Sequence, residues 1–419
     1  MSLPELPGDG DRSETAIGAI VVRARTLVAE RRMPEAQAAY RVAADLGDAT
    51  ARIELARMLL YGVGSDAAPA EAVDWLQRTE AEGNVLAGYY LALVAVGAVA
   101  VPRDLALDRR VHEAVQARHP PSLRAAAIHF GRKPGTADQA LCVQLLEAAG
   151  AAGDAVAAAL LAERLLHGEG TPPDPGAAHD LYEQLAKTGA TRLPAVTADP
   201  PQQPPGPPRS LDLRDVLFAP RVDLRAQKPR IGVIDGLLSA DECRLLIATS
   251  LPGLRPSRTV DPDTGLPVAL PLRTSSDASM DPIQEDLALR LVQMRIAAAA
   301  GLELVHAEPL TVLRYAPGQQ YRPHRDYVPP GSIERDRPQA GNRARTICVY
   351  LNDVEEGGET EFPVAGVRVT PKAGRAVVFD NLHANGQADP DSLHAGLPVR
   401  RGEKWLATLW LRQRPYRFY

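Results

Sequence analysis

The spacing of apolar residues in the first part of the chain is helical. From about residue 18 to residue 190, apolar positions recur every three to four residues and predict one helix after another. Glycines that follow these apolar runs recur in steps of 35, 34 and 37 residues, at Gly62, Gly97, Gly131 and Gly168. A period of about 36 residues with two helices per unit indicates a helical solenoid.

The pattern changes after about residue 230. The segment "RIGVIDGLLSADECRLLIATS" predicts a short strand and then a helix that begins with a capping box, Ser239 to Glu242. A second helix is expected at about residues 282–300. From Glu308 onward the chain predicts short strands between Gly, Pro and Asp turns, in "EPLTVLRY", "RTICVYLND", "GETEFP", "GVRVTP", "GRAVVFD" and "KWLATLWLR". Such an order predicts a β-sandwich or barrel buttressed by helices.

A proline-rich segment separates the two patterns. "LPAVTADPPQQPPGPPRS" contains seven prolines between Pro194 and Pro208, so it cannot continue a helix and predicts an extended spacer. A docking ligand for a proline-binding partner is the alternative, but linkers are the commoner use of this composition. The predicted domains are a flexible N-terminus (1–17), a helical repeat domain (18–192), a linker (193–210) and a strand-rich domain (211–419).

Composition narrows the functional classes. The net charge is −5, which gives no sign of a nucleic-acid-binding surface. Three widely spaced cysteines without a CxxC pair favour a reducing compartment, and the acidic, Pro/Gly-rich N-terminus is not a secretory signal. The uncharged run from Val85 to Val101 barely reaches spanning length, and a buried repeat helix explains it better. We therefore expect a cytoplasmic protein without nucleic-acid or membrane partners.

Candidate metal ligands occur in "YRPHRDYVPP". His324 and Asp326 are two residues apart, and residues i and i+2 of a strand face the same way, so both could reach one ion. Alone this pair is weak support, but His383 and His394 follow on a later segment. Two histidines and one carboxylate form the ligand set that suits non-haem Fe(II). The residues alone leave His383 and His394 open as the second histidine.

The repeat region resembles a known repeat family. The motif "LYGVG" followed by "AVDWL" resembles Sel1-like repeats, which are relatives of the tetratricopeptide repeat. The resemblance is clear at about 49–83 and 155–189 and degenerate between them. It implies a stacked-helix domain whose concave face binds a protein or peptide.

The second domain resembles the prolyl 4-hydroxylase family of 2-oxoglutarate- and Fe(II)-dependent oxygenases. Four segments stand in the family's order, "LRYAPGQQYRPHRDY", "NRARTICVYLNDVEEGGETEFP", "VTPKAGRAVVFDN" and "SLHAGLPVRRGEKWLATLW". The resemblance implies a double-stranded β-helix, or jelly roll, and so an architecture of an α-helical solenoid followed by an α+β oxygenase domain. It also implies Fe(II), 2-oxoglutarate and O2, and it allows ascorbate as a reductant.

The resemblance assigns roles to single residues. His324, Asp326 and His394 would hold Fe(II), since His394 and not His383 lies in the matched "SLHAG". Lys404, ten residues after His394, would pair with the distal carboxylate of 2-oxoglutarate, because a buried dianion needs a fixed cation.

Three further positions match the family with weaker implications, and a fourth departs from its pattern. Tyr315 and Thr346 would line the cosubstrate pocket with their hydroxyl groups. Arg343 would contact the backbone of the substrate. Arg325 stands where the family usually has an aromatic residue, which changes the rim of the pocket.

These observations predict a dioxygenase that hydroxylates a prolyl residue of a peptide or protein, with the repeats recruiting the substrate or a partner. One alternative is an oxygenase of a free amino acid or small metabolite, although such a substrate needs no recruiting domain. Another is a repeat-based scaffold with a decayed oxygenase domain, which the retained ligands and Lys404 disfavour. A halogenase is disfavoured because Asp326 supplies the carboxylate that related halogenases lack.

Overall fold

The computed structural model describes residues 9–97, 106–203, 213–218, 220–257, 259–260, 267–268, 273–329, 331–335 and 337–417. The contacts within the chain divide it into two compact units, Met1–Ala117 and Arg118–Phe418. The second unit thus contains the later helices of the repeat region together with the strand-rich domain. The domain boundaries inferred from sequence follow the repeat pattern and the linker, and they stay a prediction.

Ten helices form the described part of the repeat region, as the periodicity predicts. They are α1 Asp9–Ala29, α2 Met33–Asp45, α3 Ala49–Tyr61, α4 Pro69–Ala81, α5 Val85–Ala95, α6 Ala106–Gln116, α7 Pro120–Gly131, α8 Thr136–Ala151, α9 Ala155–His167 and α10 Pro175–Lys187. The first six belong to the first compact unit and the last four to the second.

The repeat is visible in how its helices begin and end. Asp48 caps α3 and Asp154 caps α9, each accepting a hydrogen bond from a backbone N–H three residues on. Gly62 and Gly168 end the same two helices with φ values of 65° and 69°, a conformation that favours glycine. Both pairs are 106 residues apart, about three periods of the predicted repeat.

The apolar segment from Val85 forms a short helix. α5 spans only 11 residues, and its Leu91 and Val94 belong to the hydrophobic core of the first unit. Within the described part of the chain, every helix is too short or too polar to span a bilayer.

The described residues of the strand-rich domain include a short helix, α11 Leu213–Val216, and two longer ones, α12 Ala240–Ser250 and α13 Leu287–Ala299. The capping box predicted at Ser239 and Glu242 is present at the start of α12. The strands are β1 Asp223–Gln227, β2 Arg230–Ile234, β3 Arg255–Pro256, β4 Thr259–Val260, β5 Pro267–Val268, β6 Ser276–Ser279, β7 Thr311–Tyr315, β8 Tyr321–His324, β9 Arg343–Tyr350, β10 Glu356–Gly357, β11 Thr360–Phe362, β12 Val367–Val369, β13 Ala376–Asp380, β14 His394–Gly396, β15 Val399–Arg401 and β16 Lys404–Arg412.

Most of the strands in the described residues form two antiparallel sheets. The larger has the order β1-β2-β13-β9-β16-β7-β6-β3, and the smaller has the order β12-β11-β14-β8. Apolar residues of both sheets meet in one core, where Tyr350 and Phe379 of the larger sheet pack with Phe362 and Val369 of the smaller. This is the jelly-roll architecture, with flanking helices, that the sequence predicts.

Buried ion pairs connect the later repeats to the helices of the strand-rich domain. Arg164 of α9 pairs with Asp241 of α12, and Arg132 pairs with Glu242. All four side chains are at most 8% exposed. A buried charge needs its partner, so these pairs hold the later repeats against α12 within the second unit.

The described part of the proline-rich segment, residues 193–203, has no helix or strand and packs onto the second unit. Leu193 and Val196 are buried, and the backbone N–H of Gln202 donates to the carbonyl of Gly236 at 3.1 Å. Over these residues the segment does not continue a helix, as its prolines predict. Residues 204–210 lie outside the described chain.

Candidate metal and cosubstrate site

Strand pairing brings the two predicted histidine ligands together. β8 and β14 are antiparallel neighbours, and His324 stands directly opposite His394 in their register. Asp326 follows β8 by two residues. Nitrogen and carboxylate oxygen atoms of His324, Asp326 and His394 all lie within 4.8 Å of one another. The structure therefore groups the three residues that the sequence assigns to a metal ion.

The orientation of both imidazole rings is fixed by main-chain carbonyls. His324 Nδ1 lies 2.8 Å from the carbonyl of Arg322, and His394 Nδ1 lies 3.0 Å from that of Ser392. A carbonyl only accepts hydrogen bonds, so each Nδ1 carries a proton, which leaves each Nε2 as the ring nitrogen that can bind a metal. Outer contacts of this kind orient metal-ligating histidines.

Asp326 faces both histidines at distances longer than hydrogen bonds. His324 Nε2 is 3.6 Å from its Oδ1, and His394 Nε2 is 3.7 Å from its Oδ2. The hydroxyl of Thr346 donates to Oδ2 at 2.8 Å. Oδ1 has no such bond among the described residues, so it is available to an ion.

The protonation states suit metal binding at neutral pH. Burial, with a contribution from His394, lowers the pKa of His324 to about 3, so its imidazole is neutral. Burial opposes ionisation of Asp326, but His394, His324, Arg343 and the Thr346 hydrogen bond together lower its pKa. A neutral imidazole and an ionised carboxylate are ready to coordinate without losing protons.

A cavity between the sheets connects this cluster to Lys404. Its lining includes His324, Asp326, His394, Lys404, Tyr315 and Thr360. Lys404 begins β16 and is 2% exposed, and burial lowers the pKa of its ammonium group to about 8. In the part of the chain that the structure describes, no carboxylate lies within ion-pair distance of it. A buried ammonium group without a partner fits an anionic ligand in the cavity.

Tyr315 lines the cavity beside Lys404. The two residues pair across β7 and β16, and Lys404 Nζ is 5.2 Å from the Tyr315 ring centre. Thr346 lies elsewhere, since its hydroxyl contacts Asp326 and it is not among the cavity-lining residues. Thr360 lines the cavity, as Thr408 does, and it accepts a 2.6 Å hydrogen bond from Tyr350.

Arg343 is held by an acidic side chain. Its Nε and Nη2 donate to the two carboxylate oxygens of Glu308, each at 2.7 Å, and its guanidinium lies 4.2 Å from the Trp410 ring centre. Its Nη1 is 3.3 Å from the carbonyl of Asp326. Arg343 is thus close to a metal ligand, and its role in substrate binding stays a prediction.

His383, the other candidate for the second histidine, lies outside the cluster, as does His306. His383 is about half exposed, with a side-chain value of 49%, and its Nδ1 is 3.5 Å from Asp389. His306 bonds the carbonyl of Arg412. The geometry therefore groups His394, and not His383, with His324 and Asp326.

Sequence reasoning missed further residues of the cavity, among them Thr360, Tyr321 and Arg273. Thr360 follows "EEGG" in a segment that the sequence matches, but only the pairing of Thr360 with Gly396 places it beside the site. Tyr321 stacks on His324 with ring centres 3.4 Å apart, and Arg273 lies over the Tyr321 ring. Arg273 precedes all matched segments, so nothing in its local sequence marks it.

Comparisons with known proteins agree with this site. The 2OG-Fe(II) oxygenase superfamily matches residues 310–412, and the Sel1 repeat matches residues 49–84, 122–154 and 155–189. Prolyl 4-hydroxylase 1 of Arabidopsis thaliana is 38% identical over 200 residues, which cover 44% of this chain and 70% of that protein. The chain belongs to the prolyl 4-hydroxylase family.

Two other members of this family are similar to the chain. The probable prolyl 4-hydroxylase 10 of Arabidopsis thaliana is 35% identical over 215 residues, covering 47% of this chain and 73% of the relative. The solved structure of a viral collagen prolyl hydroxylase from Paramecium Bursaria Chlorella virus-1, in complex with 2OG, is 30% identical. It covers 43% of this chain and 95% of that chain, with a TM-score of 0.35.

Membership of the prolyl 4-hydroxylase family makes the protein a 2-oxoglutarate-dependent dioxygenase with Fe(II), 2-oxoglutarate and O2 as its cofactor and cosubstrates. The described residues fit these groups. Two imidazole nitrogens and one carboxylate oxygen form the ligand set of non-haem Fe(II) enzymes and leave coordination positions open. The ammonium of Lys404, which has no ion-pair partner among the described residues, suits a carboxylate of the cosubstrate.

Proposed function

We propose that the protein hydroxylates a prolyl residue within a peptide or protein. The observation that carries this proposal is the 200-residue similarity to a prolyl 4-hydroxylase, together with the grouping of His324, Asp326 and His394 in one cavity. The three cysteines are free and buried, and they support the further proposal that the protein acts in the cytoplasm.

The proposed roles of the residues follow from their positions. His324, Asp326 and His394 hold Fe(II), which with 2-oxoglutarate and O2 supplies the chemistry that converts a C–H bond to C–OH and yields succinate and CO2. Lys404 anchors the distal carboxylate, and Tyr315 borders the same end of the cavity. The apolar core around Phe362 and Phe379, which packs on His394, keeps bulk water from the metal.

Mass spectrometry tests the substrate class. Incubation with proline-containing peptides, 2-oxoglutarate, Fe(II) and 18O2 is expected to add one labelled oxygen to proline, a shift of about +18 Da. Succinate should form in equal amount. Asp326→Ala is the matched control and should yield neither product. Labelling of free proline or another small metabolite, with peptides untouched, would contradict the proposal and support the alternative oxygenase.

The helical repeats are proposed to recruit the protein substrate or a partner. Three matched Sel1 repeats support this, because the concave faces of such solenoids commonly bind proteins. Holding a partner near the active site raises the local concentration of its target segment. Neither nucleic acid nor membrane is proposed as a partner.

Cosubstrate affinity is expected to depend on the charge of Lys404. Its pKa is about 8 in the free protein, and a bound carboxylate would raise it, so binding takes up a proton above pH 8. The dissociation constant of 2-oxoglutarate should therefore rise by up to about tenfold per pH unit above pH 8. Titrations of the Mn(II)-loaded protein between pH 6.5 and 9.5 measure this dependence.

Two variants control the pH experiment. Lys404→Arg keeps its charge throughout this range and should flatten the curve, whereas Lys404→Ala should bind weakly at every pH. A flat curve for the unmodified protein would show that another group binds the carboxylate.

A further inference from the structure

Asn381 follows the last residue of β13 and reaches the cluster through another side chain. It is fully buried, and its Nδ2 lies 2.8 Å from Thr346 Oγ1. Thr346 Oγ1 in turn lies 2.8 Å from Asp326 Oδ2. These three side chains form a continuous path of hydrogen bonds from the strand end to a predicted metal ligand.

The number of available protons fixes the direction of this path. An ionised Asp326 only accepts hydrogen bonds, so the single hydroxyl proton of Thr346 must point to it. The Thr346 oxygen can then accept a bond, and only the amide nitrogen of Asn381 can donate one. The amide orientation of Asn381 is therefore dictated by the charge of Asp326.

This orientation directs the amide oxygen of Asn381 away from Thr346. Asn381 Oδ1 is buried and, among the residues that the structure describes, has no hydrogen-bond partner. Buried polar atoms are nearly always paired, and an exception calls for an explanation. The hydrogen bond that Nδ2 donates to Thr346 is the explanation, because a side chain kept only for packing would not need an amide here.

The main chain of Asn381 supports the other side of the cluster. Its carbonyl accepts from the N–H of Asp389 at 2.9 Å, and Ser392 Oγ donates to the carbonyl of Asp389 at 2.7 Å. The carbonyl of Ser392 orients His394. Asn381 thus adjoins both segments that carry ligands, but only its side chain reaches Asp326.

We propose that Asn381 is a positioning residue for the metal: acting through Thr346, it holds Oδ2 of Asp326 so that Oδ1 faces the ion. A carboxylate that binds through one oxygen leaves more coordination positions for cosubstrate and O2 than one that binds through two. The inference rests on the proposed role of Asp326 as a ligand. It assigns to Thr346 the role of linking Asn381 to that ligand by hydrogen bonds.

Metal affinity measured by a double-mutant cycle tests this inference. The variants are Asn381→Leu, Thr346→Val and the double variant, which remove the donor, the relay hydroxyl or both. Each single change should raise the dissociation constants of Fe(II) and of Co(II), the latter followed by visible absorption, by about 10–100-fold. The double variant should be no weaker than Thr346→Val alone, because Asn381 acts only through that hydroxyl. Thr346→Ser should restore near-normal affinity.

Asn352→Leu is the matched control. Asn352 is also buried, but its amide donates to the carbonyls of Asp353 and Glu403 and has no bond to a ligand. The Asn352→Leu variant should lower the melting temperature of the metal-free protein without changing metal affinity. If Asn381→Leu does not fold, Asn381→Ala takes its place in the cycle.

Two results would overturn the inference. Additive effects of Asn381→Leu and Thr346→Val would mean that Asn381 does not act through Thr346. Unchanged metal affinity with a lowered melting temperature, as for Asn352→Leu, would make Asn381 a packing residue. Asp326→Ala distinguishes a different failure: if it retains the metal, the ligand assignment itself is wrong.

Discussion

Replacing His394 with alanine is expected to abolish retention of Fe(II) and turnover of 2-oxoglutarate. The change removes one of three ligands. Mutating even the outer contacts of metal ligands lowers metal affinity by about 10–100-fold, so the loss of affinity here should exceed about 100-fold. The His394 ring also packs 4.6 Å from the centre of Phe379 and 5.5 Å from that of Phe362. Iron content after gel filtration and succinate formation measure the two effects.

His383→Ala is the matched control for this experiment. It removes the same kind of side chain eleven residues earlier, from a half-exposed position beside Asp389. It should keep most of its iron and activity. His394→Gln preserves more of the buried volume, and its melting temperature without metal separates ligand loss from unfolding. Loss of iron in His383→Ala with retention in His394→Ala would contradict the assignment of the second histidine.

The sequence predicts the metal cluster well because its local pattern carries the chemistry. His324 and Asp326 are only two residues apart, at the end of β8 and just beyond it, and a matched motif marks His394. What the sequence does not contain is the register that sets His324 opposite His394, since 70 residues separate them. Spacing thus identifies candidate ligands, and only the sheet pairing shows that they meet.

The two threonines show where local pattern is insufficient. Thr346 and Thr360 lie 14 residues apart in one matched segment, and the sequence favours Thr346 for the cosubstrate pocket. Thr346 lies on β9 of the larger sheet beside Asp326, whereas Thr360 lies on β11 of the smaller sheet and lines the cavity. Either hydroxyl can bond a carboxylate, so residue type alone does not distinguish them.

The packing of the later repeats was not predictable either. Arg124 pairs with both Asp154 and Asp286, and the second partner is 162 residues away in the chain. Nothing in the local sequence of an arginine on a repeat helix indicates such a distant partner. The consequence is that helices assigned by periodicity to one domain share a compact unit with the other.

A fragment of residues 210–419 is therefore expected to be less stable than a fragment of residues 118–419. Removing the later repeats deprives Asp241, Glu242 and Asp286 of Arg164, Arg132 and Arg124. Arg244 also loses Glu169, whose carboxylate lies 2.5–2.8 Å away. Removing one partner of a buried pair costs about 3–5 kcal/mol, but charges that become exposed in the shorter fragment regain contact with water. We therefore expect the free energy of unfolding to fall by at least ~3 kcal/mol in total. This corresponds to a melting temperature lower by roughly 6–12 °C.

Point variants distinguish the effect of losing the ion pairs from the effect of losing the other contacts of the deleted helices. Arg164→Met in the full chain leaves Asp241 buried and should destabilise the protein strongly. Arg78→Met removes an exposed pair with Asp74, whose side chains are 61% and 50% exposed, and should have little effect. Equal melting temperatures of the two fragments would show that residues 211–419 fold independently, as the linker position suggests.

The 118–419 fragment also tests recruitment without disturbing these buried pairs. It lacks α1–α6 but keeps every proposed ligand, Lys404 and the later repeats, so its kcat on a short proline-containing peptide should match that of the full chain. Towards a whole protein substrate its kcat/KM should fall by up to about a hundredfold, the scale that a tethered second binding site provides. Equal losses on both substrates would make α1–α6 a structural support of the catalytic unit. No loss on either would mean that α1–α6 do not recruit the substrate, because their removal would then leave the local concentration of the target segment unchanged.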